Sequence, residues 1–325
     1  MPLASLRFSL ILPCLSSPEV LRRTLAGISD QSFEPTGFEV IVVDDYSEPP
    51  LKPTACEFAG DLVYIRNPQN LGRAASRNRG IAASRGEILV FMDVDQLLEP
   101  GFLAALDRSF GENLRQSVRA NTSVWPPLLA GSAFLRYYNS RFIGNRSPSE
   151  IDRIGLTNLR PKYYATTCIA TGRAIVLEVG GFDESFRVYG CEDEELGARL
   201  AKAGAPLKID LEAKSYSFDE DLTVSRACRR LIDYAGKSVP LILSKHPDYT
   251  KHLKMSFLEA PNSFSQKILE RSLKWFYRPW IAKLLLRYLE SNDRRASFRP
   301  PATLYSLAFV GYYLIGLRNR GRIEA

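Results

Sequence analysis

Apolar and polar positions along this chain follow two periods. Short continuous apolar runs stand at Phe8–Leu12 (FSLIL), Phe38–Val43 (FEVIVV) and Ile88–Met92 (ILVFM). Such runs predict strands buried on both faces of a parallel sheet. Between the first two, Val20, Leu21, Thr24, Leu25 and Ile28 recur at helical spacing and predict a helix over Glu19–Ser29. A serine cap at Ser16-Ser17, then Pro18 and Glu19, opens it. Leu62–Arg66 predicts a third, short strand, and Asn70-Leu71-Gly72 opens a helix over Arg73–Ser84 stopped by Gly86. The resulting order is that of an α/β fold with a mainly parallel sheet flanked by helices.

Further on, Phe102–Phe110 predicts a helix, whereas Gly111–Lys162 shows no clear period. Tyr163–Val176 reads as a strand then a short helix, Gly180-Gly181-Phe182-Asp183 as a turn. Glu192–Ala203 is a helix with Leu196 and Leu200 inward, and Leu207–Leu211 a last strand. From Ser225 the chain is helical and basic, punctuated by Pro240, Pro261, Pro279 and Pro300. This divides it into an α/β domain over residues 1–225, with halves 1–105 and 106–225, and a helical C-terminal extension over 226–325.

At 325 residues and 45% hydrophobic content the chain can bury a large core. Its net charge of +7 is distributed rather than gathered in one run. No zinc-finger spacing, RNA-binding aromatic motif or basic zipper accompanies it, which argues against nucleic acid. Cys14, Cys56, Cys168, Cys191 and Cys228 are odd in number and scattered, as free thiols in a reducing, cytoplasmic setting are. The start, MPLASLRFSLILPC, has the look of a short signal sequence, but Pro13 ends its apolar run early and a first strand fits better.

The chemistry gathers where strands end. Ile88–Met92 delivers Asp93 and Asp95 around Val94, and alternate residues of a strand point the same way. Open α/β sheets bind ligands at their carboxyl edge. There two carboxylates can hold a hard cation, Mg2+ or Mn2+, and the cation a diphosphate. Asp44-Asp45 ends the Phe38–Val43 strand on the same edge, which predicts four acids facing one cleft. Alone, either pair reads as a turn or a solvated loop; together they read as a site. Arg73, Arg77 and Arg79, with Asn78, lie at a helix start, an arrangement suited to a diphosphate and equally that of an exposed basic helix.

The motifs keep an order and spacing more specific than any one of them. The first strand with Pro13, IVVDDYS (Ile41–Ser47), NLGRAASRNRGIAASRGEILVFMDVD (Asn70–Asp95), VGGFDESF (Val179–Phe186) and YGCEDEELGARLAKAG (Tyr189–Gly204) resemble a family 2 glycosyltransferase of the GT-A fold. The resemblance implies an inverting enzyme that moves a sugar from a nucleotide-sugar donor to an acceptor hydroxyl. It implies nucleotide contacts at Pro13, Asp44, Asp45, Asn70, Gly72, Arg73, Arg77, Asn78 and Asp93, with Asp45 on uracil, hence a UDP-sugar. It implies a divalent cation on Asp93 and Asp95, an acceptor wall at Gly180, Gly181 and Phe182, the base at Asp193 and an orienting role for Glu192. Glu194 and Glu195 read instead as a solvated helix start, with Glu195 paired to Arg199. Two departures stand out: Cys14-Leu15-Ser16 after Pro13, and Ser215-Tyr216-Ser217 where the family often carries a metal-binding His. A nucleotidyltransferase, or a non-catalytic homologue that binds a nucleotide or glycan, are the rival readings.

The tail mixes aromatic, aliphatic and basic residues over Trp275–Leu289, and is nearly all apolar over Leu304–Leu317. Two readings stay open: helices packed on the rest of the protein, or helices lying peripherally on a membrane surface, which would suit a lipid-linked glycan acceptor in cell-surface polysaccharide synthesis.

Overall fold

The computed structural model of the protein describes residues 6–15, 18–51, 58, 60–253, 255–293 and 300–320. The strands are β1 (Phe8–Cys14), β2 (Phe38–Asp44), β3 (Asp61–Arg66), β4 (Ile88–Met92), β5 (Gln96–Leu98), β6 (Ser117–Val124), β7 (Cys168–Gly172) and β8 (Leu207–Ser217). They form one sheet in the order β3-β2-β1-β4-β7-β6-β8-β5. β1 to β4 are parallel. β7 runs antiparallel to both its neighbours, β6 and β8 are parallel, and β5 closes antiparallel on β8. Leu10 pairs with both Val40 and Val90, so Asp44-Asp45 and Asp93 leave the sheet at one edge.

Alternation along the strands builds two apolar layers. Leu10, Leu12, Val40, Val90 and Met92 face Leu21, Leu25 and Ile28 of the helix Pro18–Ser29 and Leu103 and Leu106 of the helix Phe102–Phe110. Ile11, Ile41, Leu89 and Phe91 face Ile81 of the helix Arg73–Ala83, Val176 of the helix Arg173–Glu178 and Leu196 and Leu200 of the helix Glu192–Lys202. The polar pair within this core is satisfied: Ser9 Oγ donates to Glu39 Oε1 (2.6 Å), and Arg85 Nη2 donates to Glu39 Oε2 (2.7 Å).

Three features depart from the pattern read along the chain. The stretch without clear period contains β6, whose half-polar sequence SVRANTSV hides a strand that is almost entirely buried. β8 runs to Ser217 rather than stopping at Leu211. β7 reverses the sheet's direction. The proposed serine cap at Ser16-Ser17 and Cys56 lie outside the described residues; Cys14, Cys168, Cys191 and Cys228 are buried free thiols.

The chain divides into two compact units, the described residues of Met1–Trp125, Phe142–Arg187 and Glu192–Phe218, which hold the sheet, and those of Pro126–Arg141, Val188–Cys191 and Asp219–Ala325. In the second, the helix Ala302–Asn319 buries Tyr305, Ala308, Tyr312, Tyr313 and Leu314. Gly316 comes so close to the helix Val224–Asp233 that a Cβ there would sit 2.6 Å from the Ile232 carbonyl oxygen. Tyr305 stacks on Tyr137 with ring centroids 4.9 Å apart. The apolar run Leu304–Leu317 is thus a packed core helix. Among the described residues no helix is long and apolar enough to cross a membrane.

Candidate active site

The donor-side loop is built on Asp44 and Asp45. Asp44 is fully enclosed and accepts from the Ser47 amide (2.7 Å), the Tyr64 hydroxyl (2.7 Å), Arg66 Nη1 (3.1 Å) and the Leu51 amide (3.3 Å). Burial alone would raise its pKa; the hydrogen bonds from Ser47, Tyr64 and Leu51 outweigh it and hold the group below the usual carboxylate value. Asp45 Oδ1 accepts from Asn67 Nδ2 (2.7 Å) and the Leu71 amide (2.8 Å), and Oδ2 from the Gly72 amide (2.9 Å). Of a carboxylate's roughly four acceptor positions, three are therefore taken, two of them by amides of the loop Asn70–Gly72. The expectation of four acids facing one cleft gives way to an internal Asp44, a loop-anchoring Asp45 and a half-buried strand-end pair. Asn67, which also donates to Ser76 Oγ (2.9 Å) and accepts from Arg79 Nη1 (2.8 Å), organises this loop. No motif in the sequence marked Asn67; its place just beyond β3, level with Asp45, was the available signal.

The three arginines of the helix start separate. Arg73 is exposed, and Arg79 holds Asn67. Arg77 is enclosed, with 1% of its surface exposed, so it is not placed to face a diphosphate. Its Nη2 donates to Asp93 Oδ1 (3.3 Å) and its Nη1 to Glu192 Oε1 (3.2 Å), while Phe182 lies against the guanidinium at 5.4 Å. Arg77 Nε and Glu192 Oε2 are buried without a hydrogen-bond partner. One buried cation thus joins the acid at the end of β4, 16 positions on from it, to the acid that opens the helix Glu192–Lys202, 115 positions on.

Asn78 is half-buried and engaged within the protein. It exchanges hydrogen bonds with Phe182, donating to the carbonyl (2.8 Å) and accepting from the amide (2.8 Å). From the other side Arg199 Nη2 donates to the Gly181 carbonyl (2.6 Å). The turn Gly180-Gly181-Phe182 is clamped between two helices. Gly181 has φ of 70°, and a Cβ there would stand 2.7 Å from Asn78 Oδ1, so a side chain is excluded by both conformation and space.

Asp93 keeps about a third of its side chain exposed. Asp95 holds the strand edge through its carbonyl, which accepts from the Phe218 amide (2.9 Å), while Ser217 Oγ stands 3.5 Å from its Oδ2. Among the described residues no third His, Cys, Asp or Glu joins the pair. Two carboxylates and a hydroxyl are an all-oxygen donor set, which fits a hard cation that takes its remaining ligands from phosphate and water.

On the acceptor side Asp193 is half-buried, its Oδ1 accepting from the Glu194 amide (2.8 Å). Glu194 and Glu195 are buried, contrary to a solvated helix start, because the helix turns its first turn into the core; Glu195 pairs with Arg199 at 2.6 Å as expected. Arg119 of β6 is 9% exposed and donates to the Tyr163 carbonyl (3.2 Å). Burial pulls its pKa down to about 10 and Arg146 adds to that, while the charge of Asp193 works against both. Arg119 is a second residue the sequence did not reveal, hidden in the aperiodic stretch. Pro13 is half-buried at the end of β1, Gly72 precedes the helix Arg73–Ala83, and Asn70 is exposed on the loop that Asp45 anchors.

A sheet that is parallel in its first half, with an acid pair at the end of β4 tied by a buried arginine to an acidic helix start, defines a GT-A-type α/β protein. Residues 9–123, about a third of the chain, match the model of the family described as glycosyl transferase family 2. Residues 153–217 match a second model, described as the N-terminal domain of galactosyltransferase. A pre-mycofactocin glycosyltransferase of Mycobacterium tuberculosis is 28% identical over 255 residues, 76% of this chain and 50% of the relative. Validoxylamine A glucosyltransferase of Streptomyces hygroscopicus subsp. limoneus is 26% identical over 229 residues, 63% of this chain and 50% of the relative. The chain thus spans about half the length of these curated relatives. Mannosyltransferase PcManGT from Pyrobaculum calidifontis, solved in complex with GDP-Man and Mn2+, shares the fold with a TM-score of 0.58 at 16% identity, over 96% of this chain and 86% of that one.

Proposed function

We propose that the protein transfers a sugar from a nucleoside diphosphate sugar, uridine-linked, to an acceptor hydroxyl with inversion. The observation that carries this reading is the Arg77 bridge, which holds the donor-side Asp93 and the acceptor-side Glu192 on one buried guanidinium. The relatives named for sugar transfer support it, as does the shared fold with a mannosyltransferase bound to GDP-Man and Mn2+. Asp95, with Asp93 and the Ser217 hydroxyl, would hold a divalent cation, Mg2+ or Mn2+. Bound there, the cation neutralises charge on the departing diphosphate. Exposed Arg73 supplies a further cation at the helix start, and the remaining acceptor position of Asp45 suits the imide N–H of uracil.

The acceptor oxygen attacks the anomeric carbon as the bond from that carbon to the diphosphate oxygen breaks, and the hydroxyl proton passes to Asp193. Of the two acids that open the helix, Glu192 is engaged with Arg77 and holds its neighbour in place; the half-buried Asp193 is the one that takes the proton. The Gly180-Gly181-Phe182 turn forms the adjacent wall, and the acceptor class is a glycan or lipid-linked glycan of cell-surface polysaccharide synthesis. The test is release of nucleoside diphosphate from a panel of nucleotide sugars with added Mn2+, run beside calorimetric donor binding. Asp193→Asn should lose on the order of a hundredfold or more in turnover while donor affinity survives. Equal loss of binding and turnover would make Asp193 structural, and full activity would remove it as the base.

A further inference from the structure

Among the described residues eleven large apolar side chains are exposed, and seven of them lie on the consecutive helices Phe264–Phe276 and Pro279–Asp293 of the second unit. The most open are Phe264 (80%), Trp275 (67%) and Trp280 (62%). The two helices repeat one pattern. Phe264, Lys267, Ile268 and Arg271 stand at positions i, i+3, i+4 and i+7 of the first; Trp280, Lys283, Leu284 and Arg287 stand at the same positions of the second. All eight are exposed. At about 100° per residue, such a set spans an arc of roughly 100° on its helix. Each helix therefore offers solvent a stripe in which an aromatic and an aliphatic residue are flanked by Lys and Arg.

Charge decides what can cover these stripes. Residues 264–293 carry six basic and three acidic side chains. All six basic ones are exposed. Asp293 is turned inward, accepting from Ser132 Oγ (2.7 Å) and the Phe134 amide (2.6 Å), and Glu270 pairs with Lys274. A second copy of the chain would set this basic surface against itself, and like charges across an interface repel. A purely apolar partner would leave the lysines and arginines desolvated. A bilayer containing anionic phospholipid meets both needs, since indole and phenyl rings settle at the headgroup level and basic side chains reach the phosphates.

We propose that the helices Phe264–Phe276 and Pro279–Asp293 form a docking face for an anionic phospholipid bilayer, with Phe264, Trp275 and Trp280 entering the interface. This does not depend on the sugar-transfer reading. It also separates two parts of the tail that look alike in sequence: Ala302–Asn319 is core, so its deletion would unfold the unit, whereas the face can be altered without touching packed residues.

The experiment uses the full chain with phosphatidylglycerol-containing vesicles and pure phosphatidylcholine vesicles, followed by flotation and by quenching of tryptophan fluorescence with brominated lipid. Two of the three tryptophans, Trp275 and Trp280, lie on the face. The wild type should float with the anionic vesicles at about 50 mM salt, be released near 500 mM as charges are screened, and bind neutral vesicles far more weakly. Trp275→Gln with Trp280→Gln should abolish quenching and lower partitioning at least about tenfold. Lys267→Gln, Arg271→Gln, Lys283→Gln and Arg287→Gln should each cost about fivefold and together erase the preference for anionic lipid. Absence of wild-type binding, binding unchanged in both variant sets, or a wild-type dimer lost in the tryptophan variant would each overturn the proposal, the last by making a second copy the occupant.

Discussion

Removing the guanidinium of Arg77 tests the centre of the site directly. Arg77→Met keeps most of the stem's volume and deletes both charged hydrogen bonds. Asp93, a third exposed, can rehydrate, but Glu192, with 6% of its side chain exposed, cannot. Its Oε2 already lacks a partner and its Oε1 would lose the one it has. Breaking a buried pair in this way costs about 3–5 kcal/mol, because a charge stays behind uncompensated. Arg77→Lys retains the charge on a single nitrogen that cannot span two carboxylates, so about 1.5–3 kcal/mol is expected. Adding Glu192→Leu to Arg77→Met removes the stranded acid and should restore roughly 2 kcal/mol or more. Urea midpoints give these differences, with amide exchange in β1 and β4 reporting the sheet-bearing unit itself. A single variant within about 0.5 kcal/mol of wild type, or a double variant no more stable than the single, would refute the claim that Arg77 compensates Glu192.

Further outcomes follow from other parts of the site. Asp95→Asn should abolish turnover and weaken Mn2+-dependent donor binding measured by calorimetry, with Asp93→Asn acting in the same direction; Ser217→His should tighten Mn2+ binding, and no change would separate Ser217 from the cation. Gly181→Ala forces a side chain into a left-handed conformation against Asn78 and should cost about 1–3 kcal/mol in chemical denaturation. Asp44 has a folded pKa below its unfolded value of about 3.9, so its contribution is full above that value and is lost as pH falls through the folded one. Asp44→Asn should therefore be less stable than the parent at neutral pH, with the gap closing in acid; a gap that widens below about pH 4 would reverse the assignment.

Local pattern determined a good deal about this protein. The apolar runs of β1, β2 and β4, the helical spacing of Leu21, Leu25 and Ile28, and the strand-end position of Asp93 are consequences of a few neighbouring residues. The α/β order and the family's motifs could therefore be read along the chain. Tertiary structure decided what those residues touch. Asp44 and Arg77 carry the right chemistry for a ligand, yet their partners are Tyr64, Arg66 and Glu192, brought in by strand pairing and helix packing that no local window contains. β6 escaped notice because its burial comes from its place between β7 and β8 and from the layer that holds Leu103 and Leu106, not from its own half-polar sequence. The tail makes the same point. Leu304–Leu317 and Trp275–Leu289 are both apolar enough to meet lipid, and only the packing of Gly316 on Ile232 puts the first in the core while Trp275 and Trp280 stay in solvent. A residue's chemistry is written in the sequence, but its exposure and its partners are set by chain segments that are distant in number and close in space.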